Sequence, residues 1–186
     1  MIPLEKLLHI PLLSDELFEM RPVTIDDAED MFEYGSDEEV VKLLPWGPYR
    51  SLEEAQTGIE RFFLKRPEQG LPPAYAIIWK ENGKMIGTCD FHSLNGEENS
   101  SGIGFVLNRK YWNQGIITRA SRLLIEMGQD YLGLSAVTLD HKPENKTAAR
   151  IAEKLGFTPK GMREHRYMAG QEPVTMAHWE LMFTRS

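Results

Sequence analysis

Between Gly102 and Leu107 apolar residues stand at Ile103, Phe105 and Leu107, in a run too short for a helix and with the period of a strand. After a polar turn the period changes. Ile116, Ala120, Leu123 or Leu124, Met127 and Tyr131 recur every three or four positions, as on one face of a helix, and Gly133 supplies a stop. The pattern predicts a strand that feeds a helix through a turn carrying Asn113, Gln114 and Gly115. Such a junction suits an anion, because the first turn of a helix has backbone N–H groups without intrahelical partners and partial positive charge from the dipole. Gly115 has no side chain to keep a phosphate from the backbone. The same residues also fit an ordinary strand-to-helix turn that binds nothing, and one glycine does not choose between the two.

The rest of the chain divides in the same way. Residues up to about Leu13 show no period and read as an irregular lead-in; Leu17 to Arg21 reads as a first strand. Thr24 with Asp27 resembles a capping box, followed by an amphipathic helix through Ala28, Met31 and Phe32 to about Tyr34. Val40 to Leu44 suggests a helical turn, and Pro45-Trp46-Gly47-Pro48 a break. Ser51 and Glu54 form a second capping box, with Ala55, Ile59, Phe62 and Phe63 at helical spacing behind it. Ala74 to Lys80 and Met85 to His92 flank an Asn82-Gly83 turn and read as a hairpin, and Ser93 to Ser101 as a mobile polar loop. Ala136 to Asp140 predicts a strand, Asn145 to Leu155 a helix closed by Gly156, and Arg163 to Met168 with Val174 to Phe183 a closing hairpin around Ala169 to Glu172. With no repeat or linker, residues 1–186 read as a single domain of α+β class.

Composition narrows the function classes. Hydrophobic residues at 41% and charged residues at 26% are those of a globular protein, and no apolar run approaches a membrane span. The N-terminal stretch lacks the features of a secretory signal, so a cytoplasmic location is expected. One cysteine, Cys89, excludes an intramolecular disulfide, and the five histidines show no paired metal-ligand spacing, so no metal is expected. A net charge of −7 argues against nucleic acid as a partner and is compatible with a cationic acceptor, although it also serves solubility alone.

Two segments are more specific. Tyr111-Trp112-Asn113-Gln114-Gly115-Ile116-Ile117-Thr118-Arg119-Ala120 resembles the acyl-CoA-binding turn of the GNAT N-acetyltransferases, and within them the ribosomal-protein N-terminal acetyltransferase (RimJ/RimL-type) branch. That branch typically reads Trp-Gly-x-Gly-Tyr-Ala-Thr-Glu-Ala; Trp112, Gly115, Thr118 and Ala120 match, whereas Asn113, Ile117 and Arg119 depart. Asn145-Lys146-Thr147-Ala148 through Glu153-Lys154-Leu155-Gly156-Phe157 resembles the family's Asn-x-x-Ser-x-x-x-x-Glu-Lys-Leu-Gly-Phe. The resemblance covers nearly the whole chain and implies a mixed, mostly antiparallel sheet flanked by helices. It also implies acetyl transfer from acetyl-CoA to an amine, either a protein or peptide N-terminus or a small molecule. Asn113, Gln114, Gly115, Ile116, Ile117 and Thr118 would then hold the pyrophosphate, with added charge from Arg119. Backbone groups of Phe105, Val106 and Leu107 would bond the pantetheine arm between two splayed strands, and Asn145 would stand on its other side.

The catalytic groups are less clear. Many relatives begin the fourth strand with Glu-Ile-Gly, and this chain has Gly102-Ile103-Gly104, so the usual base is missing; Ala148 replaces the serine that would protonate the leaving thiolate. Tyr111 and Tyr167 are conceivable acids. Asp90 and His92, two apart on one strand face, are the local candidates for a base, since a half-buried carboxylate can take a proton near neutral pH. They fit the solvent face of a sheet equally, and His141 is a third candidate. Cys89 reads as a small core residue, and Trp46, Phe62 and Phe63 as pocket lining or core. Two functions follow: a direct-transfer N-acetyltransferase, or a CoA-binding sensor or partner protein without turnover. A homodimer through exposed edge positions of the closing hairpin is also compatible.

Overall fold

Alternation along the strands places one set of side chains on each face of a sheet, and both faces are covered by helices. The computed structural model describes residues 2–165 and 172–183. Its strands are β1 (Leu13–Ser14), β2 (Phe18–Pro22), β3 (Tyr75–Trp79), β4 (Met85–Asn95), β5 (Ser100–Leu107), β6 (Ala136–His141), β7 (Thr158–His165) and β8 (Val174–Met182). They form one eight-stranded sheet in the order β1-β2-β3-β4-β5-β6-β8-β7. β5 and β6 run parallel, and the other neighbours are antiparallel. The helices are α1 (Leu4–Leu8), α2 (Ala28–Gly35), α3 (Glu38–Val41), α4 (Leu52–Gly58), α5 (Ile116–Met127) and α6 (Lys146–Leu155).

The core is split by the sheet. Cys89, Phe91, Ile103 and Leu107 pack with Ile116, Ala120 and Leu124 of α5 and Ala148 and Ala152 of α6. Ala76, Ile78 and Val106, from the other face, pack with Met31 and Tyr34 of α2 and Ile59 after α4. The expected caps form: Thr24 N–H donates to the Asp27 carboxylate at 2.8 Å, and Ser51 Oγ accepts from Glu54 N–H at 3.2 Å.

Three expectations are revised. The lead-in contains the short helix α1, whose Lys6 Nζ donates to Tyr131 O at 2.6 Å and whose Leu7 is buried. The polar stretch after His92 is mostly paired strand: Leu94 opposes Ser101 and Asn95 opposes Ser100, and Asn99 Nδ2 donates to Gly133 O at 2.7 Å. β7 starts at Thr158 rather than Arg163, and Ala169, Gly170 and Gln171 lie outside the described residues, as does Tyr167. As an edge strand, β7 carries Pro159, Lys160 and a register shift between Pro159 and Gly161, devices that discourage strand-to-strand pairing and weaken the reason for a dimer there.

One carboxylate ties α2 to the end of β5. Glu33 accepts from Asn108 Nδ2 at 3.2 Å, Lys110 Nζ at 2.7 Å and Lys84 Nζ at 3.3 Å. Lys110 foremost, with Asn108 and Lys84, lowers the Glu33 carboxyl from 4.5 to about 2. A lowered folded-state value gives stability that is present above the unfolded value and is lost as pH falls toward about 2. The side chain is one-third exposed, so screening keeps the contribution below about 1 kcal/mol. Glu33→Gln is therefore expected to lower the urea-unfolding free energy most near pH 6, with the difference from wild type vanishing as pH falls from about 4.5 to about 2. A difference that is constant across this range would show that the charge of Glu33 is not what holds the junction.

Candidate active site

β5 and β6 pair over only three positions, Ser100↔Ala136, Ser101↔Val137 and Gly102↔Thr138, and then part. Beyond Gly102 one edge of β5 has no neighbouring strand among the described residues, while the other stays paired to β4 up to Leu107↔Gly87. Asn108 N–H donates to Ile86 O at 2.7 Å, which fixes the alternation. In an antiparallel ladder every second residue faces the partner, so Val106 and Gly104 turn their backbone groups to β4, and Phe105 and Leu107 turn theirs to the gap; Ile103 faces the same way, with its N–H taken by Thr138 O in the last β5–β6 pair and its C=O left to the gap. The expectation for Val106 is corrected accordingly: its backbone is committed to β4 and its side chain to the α2 side of the core, and the C=O of Ile103 is the further backbone group at the gap. Leu107 O accepts from Trp112 Nε1 at 2.8 Å, so Leu107 offers the gap mainly its N–H.

The strand ends in a turn shaped by its own polar groups. Asn108 Oδ1 accepts from Lys110 N–H at 3.0 Å, Asn113 has φ 62°, and Gly115 has φ 73° as the residue before α5. That left-handed conformation favours glycine, and a Cβ on Gly115 would meet nothing within 4 Å, so the space in front of the helix is open. Arg119 N–H bonds back to Gly115 O at 3.1 Å; the amides of Ile116, Ile117 and Thr118 precede it and have no acceptor within the helix. Asn113, Gln114 and Gly115 are exposed beside them. The residues thus fit a diphosphate at the backbone level.

Side-chain charge adds less than expected. Arg119 lies 2.9 Å from Asp15 and 3.0 Å from Glu16, Arg109 2.9 Å from Asp37, and Lys110 2.7 Å from Glu33. Arg119 is thus engaged by carboxylates before β2, and the positive character of the turn comes chiefly from its amides. Asn145 caps α6 by accepting from Ala148 N–H at 3.0 Å, which leaves its amide NH₂ group for a further partner.

On the opposite face stand Asp90 and His92. Asp90 pairs across β4–β5 with Gly104, and its Oδ1 lies 3.1 Å from where a Gly104 Cβ would be. A Cβ on Gly102 would come within 2.5 Å of His92 Cε1 and 2.8 Å of Ser93 Oγ. The absent glutamate thus makes room for the His92 ring. Arg66, buried after α4, pairs with Asp90 Oδ2 at 3.4 Å and also donates to Pro72 O at 2.9 Å and to Phe91 O. Asp90 Oδ1 is buried and has no hydrogen-bond partner among the described residues.

Other candidates are accounted for by packing. His141 Nε2 accepts from Trp179 Nε1 at 2.9 Å, so Nδ1 carries the proton and donates to Lys142 O at 2.8 Å; both nitrogens are engaged, and His141 is not placed as a base. Cys89 is buried against Ser121, and burial pushes its thiol up to about 12. Tyr111 packs on Trp79 with ring centroids 5.2 Å apart, and Trp46 stacks on Tyr49 at 5.2 Å. Phe63 joins the α2 side of the core, whereas Phe62 is exposed. Among the described residues no group of three or more His, Cys, Asp or Glu is placed to hold a metal ion.

Sequence reasoning missed a pair further along the same face. Asp140 on β6 opposes His178 on β8, and His178 Nδ1 lies 2.9 Å from Asp140 Oδ1. Arg163 of β7 donates to the same carboxylate, at 2.9 Å from Nε and again from Nη2. His165 is nearby: burial first lowers its tendency to protonate, the charges of His92 and Arg163 act in the same sense, and Asp140 opposes them. The only signal in the sequence is that Asp140 and His178 interrupt apolar strands at the right phase; which strand pairs with which is not local information.

A sheet opened between two parallel strands, with a free-amide helix start beside it, suits a ligand with an amide-bearing arm and a diphosphate. The chain belongs to the GNAT acetyltransferase family, whose domain model matches residues 18–158. It is similar to an uncharacterized N-acetyltransferase, p20, of Bacillus licheniformis, with 29% identity over 81% of this chain and 84% of that protein. In structure it resembles a putative ribosomal-protein-serine acetyltransferase from Vibrio cholerae, with a TM-score of 0.80 at 19% identity over 92% of this chain and 97% of the other. It also resembles RimL, a ribosomal L7/L12 alpha-N-protein acetyltransferase in complex with coenzyme A, with a TM-score of 0.78 at 15% identity over 92% and 98%. The chain is thus an acetyltransferase of the GNAT fold, and its family chemistry is acetyl-CoA-dependent N-acetylation. No described helix is long and apolar enough to cross a membrane.

Gly102→Glu, which restores the residue usual in relatives, is expected to destabilise the fold by about 1–3 kcal/mol, the range for overpacking, because it must displace His92 and Ser93. Urea unfolding measures this, and an unchanged midpoint would mean that the His92 ring does not occupy that space.

Proposed function

We propose that residues 1–186 act as one cytoplasmic domain that transfers an acetyl group from acetyl-CoA to an amine by direct attack in a ternary complex. The observation that carries this reading is the continuity of unpartnered backbone donors, from the open edge of β5 into the first turn of α5. Acetyl-CoA supplies the activated thioester. Ile103, Phe105 and Leu107 bond the amide-bearing arm, and Asn145 flanks it with its NH₂ group. The amides from Gly115 to Thr118, with Asn113 and Gln114 shaping the approach, receive the diphosphate. Metal plays no part in this reading.

The acceptor enters from the other face. Asp90 Oδ1, without a partner among the described residues and set over Gly104, accepts an N–H of the incoming amine, and the His92 ring walls the same space. A free N-terminus of a protein or peptide is the favoured acceptor class. An α-amine near pKa ~8 costs only about 1 kcal/mol to deprotonate at neutral pH, against about 4–5 kcal/mol for a lysine amine, and a strand without the family glutamate suits the easier substrate. The ribosomal-protein acetyltransferases among the fold neighbours support the same class, in the RimJ/RimL manner.

Gly115→Glu sets a carboxylate before the free amides and strains a left-handed position. Titration calorimetry is expected to show acetyl-CoA binding weakened at least about tenfold, equivalent to ~1.4 kcal/mol. Unchanged affinity would remove Gly115 from the site.

A further inference from the structure

The sheet carries a second polar group facing the gap, on the side away from Asp90. Gly102 and Thr138 are the last paired residues of β5 and β6, so the next residues on that face are Gly104 on one side and Asp140 on the other. Asp90 opposes Gly104, and His178 opposes Asp140. Asp90, Gly104, Asp140 and His178 therefore form one transverse row, interrupted in the middle by the gap.

Within this row His178 is an oriented imidazole. Asp140 Oδ1 accepts from His178 Nδ1 at 2.9 Å, which fixes the proton of the neutral ring on Nδ1 and leaves the lone pair on Nε2. Among the described residues Nε2 has no partner. Asp140 is held in turn by both ends of the Arg163 guanidinium, so the carboxylate cannot rotate away. Its side chain is 6% exposed, and that of His178 is 18% exposed, enough for a substrate to reach. By contrast, no hydrogen bond among the described residues fixes the ring of His92.

We propose that His178 is the catalytic base of this enzyme, with Asp140 and Arg163 as its positioning residues. The proposal rests on the acetyl-transfer reading above. As the amine nitrogen bonds to the thioester carbonyl carbon, the C–S bond breaks and the electron pair leaves on sulfur. The amine proton passes to His178 Nε2 and then to the thiolate, which restores the neutral ring. An oriented imidazole replaces the missing strand glutamate from the far side of the gap. The charged and titratable groups around it are Asp140 on β6, Arg163 and His165 on β7, Glu180 on its own strand with Lys160 paired to it at 2.8 Å, and His92 on β4.

The test pairs kinetics with a spectroscopic readout. Thiol release is followed against pH with an alanyl peptide bearing a free N-terminus, for the wild type, His178→Gln and Asp140→Asn. His178→Gln is expected to lower kcat by about 10²-fold or more, with acetyl-CoA affinity by calorimetry within twofold, and to abolish the fall in rate at acid pH. Asp140→Asn is expected to lower kcat less and to move that acid limb. Ring-nitrogen NMR of the wild type is expected to show His178 as the Nδ1–H tautomer, titrating at the midpoint of the acid limb and shifting when acetyl-CoA is added. Wild-type kcat and pH profile in His178→Gln, or a His178 ring that neither titrates nor responds to acetyl-CoA, would overturn the assignment. The NMR arm holds even if a variant fails to fold. A wild type that binds acetyl-CoA and releases no thiol would instead count against the transfer reading.

Discussion

The structure turns on backbone hydrogen-bonding groups left without partners in one continuous line. A buried or half-buried amide that bonds to nothing costs on the order of 1–3 kcal/mol, and proteins rarely leave several in a row. Here β5 loses its neighbour after Gly102, and the line continues into the start of α5, where helix geometry leaves three more donors free. A ligand with amide groups along an arm and a diphosphate at its end satisfies both sets. Most of the surrounding architecture holds that line of groups in place: Glu33 pins Asn108 and Lys110, Trp112 holds Leu107 O, and the left-handed Gly115 turns the chain into the helix.

The two faces of the opening differ in chemistry. The α5 side presents amides, and its nearby cations are mostly spent on carboxylates of the same chain, so it recognises charge through peptide dipoles. The opposite side presents titratable side chains held by guanidinium groups, the buried Arg66 on Asp90 and the exposed Arg163 on Asp140. Each arginine fixes a carboxylate next to the gap: Asp90 Oδ1 has no partner among the described residues, and Asp140 Oδ1 accepts from both Arg163 Nε and His178 Nδ1. Gly102 and Gly104 matter because they leave the strand between these groups bare.

How much of this is legible in the sequence depends on the range of the interaction. The switch from strand to helix period around Gly115 is local, as are the Thr24 and Ser51 caps, and those elements form where the pattern places them. The ends of β4 and β5 escape it because Ser93 to Asn95 and Ser100 to Ser101 pair through backbone and serine side chains, with no apolar alternation to mark them. α1 escapes because its five residues are held by Lys6 on Tyr131, a contact across the whole domain. The resemblance to a known family supplies the anion-binding turn, yet it misleads about Arg119, whose charge is met by Asp15 and Glu16. The Asp140–His178 pair is invisible for the plainest reason: 38 residues separate its members, and only the strand order brings them together.

Amide hydrogen exchange with and without saturating acetyl-CoA, resolved to single residues, tests the central claim most directly. The amides of Phe105, Leu107, Ile116, Ile117 and Thr118 should slow on binding, while those of Gly104 and Val106, already bonded to β4, and of Ile103, already bonded to Thr138, should change little. Protection that skips the Ile116 to Thr118 amides, or that falls on Gly104 and Val106 instead, would contradict the account.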